Sequence, residues 1–285
     1  MPLVVLCSIC LGLSGCGNGR VNDKYSGTIV IGWGQTIKAL EFSHSKLVSE
    51  HLVRTSHDGQ IETLAKLDEH RFLFDDTISH QISSYDRQTD SVRRLVTGLS
   101  PSYIPQRTTV FFYRPVPGER RTELVYAKLA DLGRTFHLVD EGPFSLARPV
   151  VQIDADKIIY MRRYDRSGSL QLFDMSNSQV TSLPLFGCIP QLWRTRTKQL
   201  MCYEMSSSTE VLWNIETKTR ERLAWPRGVV PLLYVNESDS VLVGFERGEN
   251  HGLATYSFDS SKSSQLNILV DRDVPVGTGG ALIFR

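Results

Sequence analysis

The chain is 285 residues long, with 32 basic and 31 acidic side chains and a formal net charge of +1. That balance lacks the cationic excess with which nucleic-acid-binding proteins meet phosphate backbones, so no nucleic-acid partner is expected. Of its five cysteines only Cys188 and Cys202 lie beyond residue 16, too few for a disulfide-dense scaffold or a cysteine-rich zinc site.

In chain order the first element is the uncharged stretch LVVLCSICLGL at residues 3–13. It is too short to cross a hydrocarbon core, which takes roughly 20 residues, and has the length of a signal-peptide apolar region. The residues that follow it, Leu13-Ser14-Gly15-Cys16, resemble the lipobox of bacterial lipoproteins. The resemblance implies cleavage before Cys16, its acylation, insertion into a lipid bilayer, and Gly17 favouring outer-membrane sorting. On this reading residues 1–16 are the signal, 17–26 a polar glycine-rich tether and 27–285 the folded domain. A cleaved, unlipidated signal and a buried first strand with Cys16 as an ordinary thiol are the alternatives.

From residue 37 onward one pattern recurs: an apolar run, often an aromatic followed by an acid, then a polar turn and another β-rich run. Its copies read IKALEFSHSKLVSEHLV, QISSYDRQTDSVRRLV, TELVYAKLADLGRTFHLV, SLQLFDMSNSQVTSL, EVLWNIETKTRERL and LATYSFDSSKSSQLNIL. The markers Phe42, Tyr85, Tyr126, Phe173, Trp213 and Tyr256 are 43, 41, 47, 40 and 43 residues apart. A second apolar run precedes each later copy (RFLFDD, VFFYR, KIIYMR, QLMCYE, SVLVGF), and a third with Pro or Gly at its edge lies upstream, as in PSYIPQ, PVVQID, CIPQLW and VVPLLY. The runs are short, rich in β-branched and aromatic residues and bounded by turn formers, so strands are expected throughout; TELVYAKLADLG is the best helical candidate and reads equally well as a strand and a loop.

Four short strands per roughly 43 residues mark a propeller blade. The expected fold is all-β, a six-bladed β-propeller, with seven blades as the alternative. The first copy lacks its inner strands and VPVGTGGALIFR ends the chain as an inner pair, so one blade is expected to close the ring from both termini, two strands from each. GTIVIGWG (27–34) is then a spare strand that pairs in the closing blade or marks a degenerate seventh. The repeats resemble WD-like or TolB-type propellers, ISSYDRQTDSVRRL and VLWNIETKTRERL most of all. The Gly-His and Trp-Asp dipeptides of true WD repeats are absent, so the resemblance implies a fold and no activity.

Loops on the face that carries the second-to-third-strand turns are electrically lopsided. Arg114, Arg120, Arg121, Arg148, Arg162, Arg163 and Arg166 fall in one sector, against Glu119 and Asp165; Glu204, Glu210, Glu246 and Glu249 fall in the next, against Arg227 and Arg247. Guanidinium forks bind carboxylates and phosphates, which makes the first sector a candidate anion-binding surface, with a solvated loop face as the alternative. Five of seven histidines lie between His44 and His80, but only His57 and His80, with Asp58, Asp75 and Asp76, map to that face. No metal site is expected from them, and no phosphate loop, dinucleotide fingerprint or nucleophile elbow is present, so neither cofactor nor catalytic residue is assigned. CIPQLWRTRTKQLMC reads as a hairpin turning near Thr195, with Cys188 and Cys202 equidistant from it. They are either a disulfide or two buried thiols set on opposite faces by a one-residue slip.

Two functional classes follow. One is a membrane-anchored, non-catalytic binding or scaffold module of the bacterial envelope, on the periplasmic side of the outer membrane, meeting a protein or glycan on the loop face. The other is a propeller-type hydrolase or lyase acting on an anionic envelope or imported polysaccharide. Carboxylates or histidines converging at the channel mouth would favour the enzyme; an apolar and neutral lining would favour the platform.

Overall fold

The computed structural model describes residues 25–55, 59–119, 121–140, 150–162, 168–247, 250–258, 266–271 and 280–284. Among these residues, twenty-four strands form six four-stranded antiparallel sheets. In blade 1 the order from the axis outward is β24 (Ala281–Phe284), β1 (Gly27–Trp33), β2 (Thr36–Ser43) and β3 (Lys46–Thr55). Blade 2 is β4 (Leu64–Lys66), β5 (Arg71–Asp76), β6 (Gln81–Asp86) and β7 (Ser91–Thr97); blade 3 is β8 (Leu99–Ile104), β9 (Thr109–Pro115), β10 (Thr122–Lys128) and β11 (Asp131–Asp140). Blade 4 is β12 (Val151–Gln152), β13 (Lys157–Met161), β14 (Ser169–Asp174) and β15 (Gln179–Phe186); blade 5 is β16 (Cys188–Arg194), β17 (Gln199–Glu204), β18 (Thr209–Asn214) and β19 (Arg220–Arg222). Blade 6 is β20 (Val229–Val235), β21 (Ser240–Arg247), β22 (Asn250–Ser257) and β23 (Leu266–Asp271). The fold is a six-bladed β-propeller.

Each blade buries both faces of its middle strands, which is why those strands read as unbroken apolar runs rather than alternating ones. In β9, Val110 and Phe112 pack on blade 2, while Phe111 and Tyr113 pack on blade 4. Six apolar clusters result, one at each blade interface. The six markers all sit on third strands, and from blade 2 onward each lies opposite an apolar second-strand residue: Tyr85 opposite Phe72, Tyr126 opposite Phe111, Phe173 opposite Ile158, Trp213 opposite Leu200 and Tyr256 opposite Val241. The polar residue that follows a marker caps the next turn. Asp86 Oδ1 accepts from the Gln88 and Thr89 N–H groups, and Asn214 Oδ1 from those of Glu216 and Thr217.

Ring closure differs from the two-plus-two expectation. GTIVIGW is not spare: β1 pairs with β2 on one side and with β24 on the other, so three N-terminal strands and one C-terminal strand complete blade 1. TELVYAK is the strand β10 and not a helix. The chain docks on the domain from Tyr25 onward: its N–H donates to Ser45 Oγ, its carbonyl accepts from the Ser45 N–H, and its ring meets Phe42 edge-on at 5.7 Å.

Candidate functional site

Antiparallel order sends the second-to-third-strand turns and the blade-to-blade connections to one face, here the upper face. The first-to-second and third-to-fourth turns form the lower face. Between them the channel is walled by β24, β4, β8, β12, β16 and β20, whose sequences are ALIF, LAK, LSPSYI, VQ, CIPQLWR and VVPLLYV. These six strands carry no carboxylate and no histidine. Their two cations are engaged at the lower end: Lys66 with Glu69 and the Ile283 carbonyl, and Arg194 in a two-bond fork with Asp239, at 2.8 and 2.6 Å. Asp239 also accepts from Tyr234 OH, and the Arg194 hydrogen bonds hold its carboxyl below the usual range.

On the upper face, Arg114, Arg121 and Arg162 lie within the described residues, whereas Arg120, Arg148, Arg163 and Arg166 lie outside them. Arg114 ends the apolar part of β9 opposite Glu123, to which its Nε donates at 2.7 Å, and its Nη1 donates to Thr135 Oγ1. Glu123 also meets His137 Nδ1 at 2.8 Å; burial raises its pKa, but the Arg114 and His137 bonds outweigh this and leave it lowered. Arg121 is paired with Glu119 inside its own loop, and Arg162 is exposed. In the acidic sector Glu204 is bound by Arg220 and Ser207. Glu210 is buried; its Oε1 accepts a long 3.4 Å bond from Gln191, its Oε2 has no partner, and burial pushes its pKa up to about 7. The exposed charges expected there are therefore largely held in local pairs or, for Glu210, sequestered between blades 5 and 6.

His57 and Asp58 lie outside the described residues. Asp75 and Asp76 divide as neighbours on a strand must. Asp76 caps the turn at 77–80 through the Ile78 and Ser79 N–H groups. Asp75 is fully buried and accepts from Thr63 at 2.7 Å, Ser100 at 2.8 Å and Glu62 at 3.1 Å. Burial raises its pKa to about 6, the three N–H groups pulling the other way. It joins β5 to the incoming connection and to the first strand of blade 3. Among the described residues no three His, Cys, Asp or Glu side chains converge as a metal site would require.

Cys188 and Cys202 are joined by a disulfide in the structure, with Cα atoms 5.7 Å apart, and both are fully buried against blade 4. They are diagonal rather than opposite: Cys188 faces Glu204 and Cys202 faces Pro190. The turn is centred between Arg196 and Thr197, not at Thr195, because Arg194 pairs with Gln199, and a register shift between Pro190 and Leu192 sets the inner half of the hairpin. Cys16 lies outside the described residues.

One feature has no counterpart in the sequence expectations. On the lower face, between blades 3 and 4, a cavity of about 170 Å³ is floored by Tyr126, Phe136, Phe173 and Met175 and edged by Arg107 and Lys128.

No protein-family model matches the chain, and no curated protein matches it in sequence. Among solved structures it is similar to TolB from Acinetobacter baumannii, with 15% identity and a TM-score of 0.67 over 86% of this chain; it spans just under two thirds of that protein, 66%. It also resembles a chain of a nidogen/laminin complex (12% identity, TM-score 0.65, covering 91% of this chain and 99% of that one). A TolB-like protein from Agrobacterium tumefaciens is similar at 10% identity and TM-score 0.57, over 86% and 89% of the two chains. At such identities the likeness shows the fold, a propeller of the TolB type.

Proposed function

We propose that this chain is a non-catalytic binding or scaffold module of the bacterial envelope, held on the periplasmic side of the outer membrane by an acylated Cys16. The observation that carries the non-catalytic part is the channel. Among the described residues its six wall strands carry apolar and neutral side chains, apart from Lys66 and Arg194, which are engaged in lower-face pairs. Hydrolysis or elimination on a polysaccharide needs a positioned acid and base, and the walls supply neither. The anchoring part rests on Leu13-Ser14-Gly15-Cys16 and the short polar stretch after it.

An anchor at Cys16 has a geometric consequence. Tyr25 fastens beside the turn at His44 and Ser45, on the lower face. The nine residues from Cys16 to Tyr25 reach about 30 Å at most, so the lower face is kept near the bilayer and the upper loops turn toward a protein or glycan partner. That partner surface includes Arg162 and Ile78, both exposed on the upper face.

Labelling with radioactive palmitate, with and without globomycin, tests the anchor. The expected result is label on the protein that is lost on Cys16→Ala, and a higher-mass precursor under globomycin. A protein that takes up no label and partitions with the soluble periplasm would overturn the anchored reading.

A further inference from the structure

We infer that the cavity between blades 3 and 4 is a binding site for an acidic sugar, a six-membered pyranose ring carrying a carboxylate. Its floor is an aromatic cluster. The rings of Tyr126 and Phe136 are stacked at 5.2 Å with 20° between their planes, and Phe173 lies 5.4 Å from Tyr126. Phe136 belongs to the outermost strand β11 and is 45% exposed, so the stack continues to the open surface instead of ending in the core. A half-exposed ring backed by the half-buried Tyr126 and the buried Phe173 is a platform on which a flat apolar face can settle.

The rim is cationic. Lys128 donates from Nζ to the Arg107 carbonyl at 2.6 Å and more distantly to Thr109 Oγ1, which fixes the ammonium at the cavity edge. Among the described residues no carboxylate lies within ion-pair distance of it. Arg107 is neutralised by Asp156, whereas Arg134, 5.9 Å from the Phe136 ring, has no carboxylate partner among the described residues. Two uncompensated cations thus flank the aromatic floor, and a ligand carboxylate is their complement.

The cavity opens to water along Phe136 and Lys128. A fully apolar ring would keep its outer half in contact with water and gain nothing from that half. A pyranose lays its C–H face on Phe136 and Tyr126, turns its hydroxyls to solvent and Thr109, and sets its carboxylate against Lys128. The site is on the opposite face from the arginine sector and does not depend on Cys16.

Saturation-transfer difference NMR on the full chain, with glucuronate, glucose and benzoate as separate probes, tests the assignment. Glucuronate is expected to receive saturation, most strongly on the ring protons of one face, with glucose bound roughly threefold to fivefold more weakly for lack of the exposed ion pair and benzoate weaker than glucuronate. Phe136→Ala is expected to weaken glucuronate roughly tenfold. Lys128→Gln should bring glucuronate most of the way down toward the level of glucose, Arg134 keeping the remainder of the preference, and should weaken glucose less than glucuronate. Lys128 is exposed, so that variant reports on binding even if the aromatic variant folds poorly. Equal binding of glucose and glucuronate by the unmodified chain, benzoate as the strongest probe, or undiminished binding in a folded Phe136→Ala protein would each overturn the proposal.

Discussion

Two buried carboxyl groups show how single side chains set this molecule's response to pH. Glu210 faces Gln191 with two oxygens, one on each residue, that lack donors. A proton on Glu210 supplies the donor this pair needs, whereas ionisation leaves a buried charge against an acceptor. Its folded pKa is raised, to about 7, so the stability it contributes is full below the unfolded value near 4.5 and is lost as pH rises through 7. At about 1.36 kcal/mol per pKa unit the loss is about 3 kcal/mol. Glu210→Gln keeps the shape, cannot ionise and offers its own N–H₂ to Gln191. The variant should match the parent at pH 5 and melt higher by roughly 5–10 °C at pH 8; identical melting curves at pH 8 would remove Glu210 from the pH response. Asp75 slopes the same way, between about 4 and 6, in both proteins, so the difference between them isolates Glu210. Asp75 has a second role as the acceptor of three backbone N–H groups, one of them from Ser100, held at a φ of 50°. Asp75→Ala leaves the buried Thr63 and Ser100 N–H groups and the half-buried Glu62 N–H without their acceptor, a loss of about 3–5 kcal/mol by the usual cost of such groups. Urea titration should register it as a lower midpoint with an unchanged slope; a shift under 1 kcal/mol would mean that water replaces the carboxylate.

At the scale of strands, legibility tracked how local the cause was. An aromatic on a third strand and the polar residue beside it act within one hairpin, so Tyr85-Asp86, Phe173-Asp174 and Trp213-Asn214 read directly from the chain. Register inside the innermost strands did not. Pro101, Pro190 and Pro231 each lie on such a strand, and the ladder shifts at or beside every one of them. Proline cannot donate to a ladder and is tolerated where one edge faces the channel, often at a bulge. The turn between Arg196 and Thr197 displaces the cysteine hairpin from the symmetric pairing that even spacing about Thr195 suggested, and the Pro190 shift takes back one residue of that offset. Asp75 was readable as a strand-end acid but not as a clasp, since its donors come from Glu62, Thr63 and Ser100, up to 25 residues away. The aromatic floor was equally hidden. Phe136 sits in the run DLGRTFHLVD, and only its placement across from Tyr126, whose ring in turn meets Phe173, gives it a role.

For the whole ring the decisive contact is the one that joins its two ends. Five of the six blades are built from consecutive strands, so their pairings close short loops; β24 must find β1 across nearly the entire chain. The closure is correspondingly reinforced. Thr28, Ile29, Val30 and Ile31 pair with Phe284, Ile283, Leu282 and Ala281, and Phe284 is 2% exposed between blades 1 and 2. Lys66 and Arg87 lie 4.8 and 4.5 Å from its ring, and Arg87 also reaches Thr28. Burial of a phenylalanine of this kind is worth about 3–5 kcal/mol against alanine, and the flanking cations add to it. Removing residues 281–285 does more than open a cavity: it bares the apolar edge of β1, which any second strand can then occupy. Phe284→Ala is expected to remain monomeric with a melting temperature lowered by roughly 10 °C. The chain ending at residue 280 is expected to elute as larger species and to be cleaved by protease first within blade 1. A truncated chain that stays monomeric and melts within a few degrees of the intact protein would show that the six interblade cores hold the ring without its clasp.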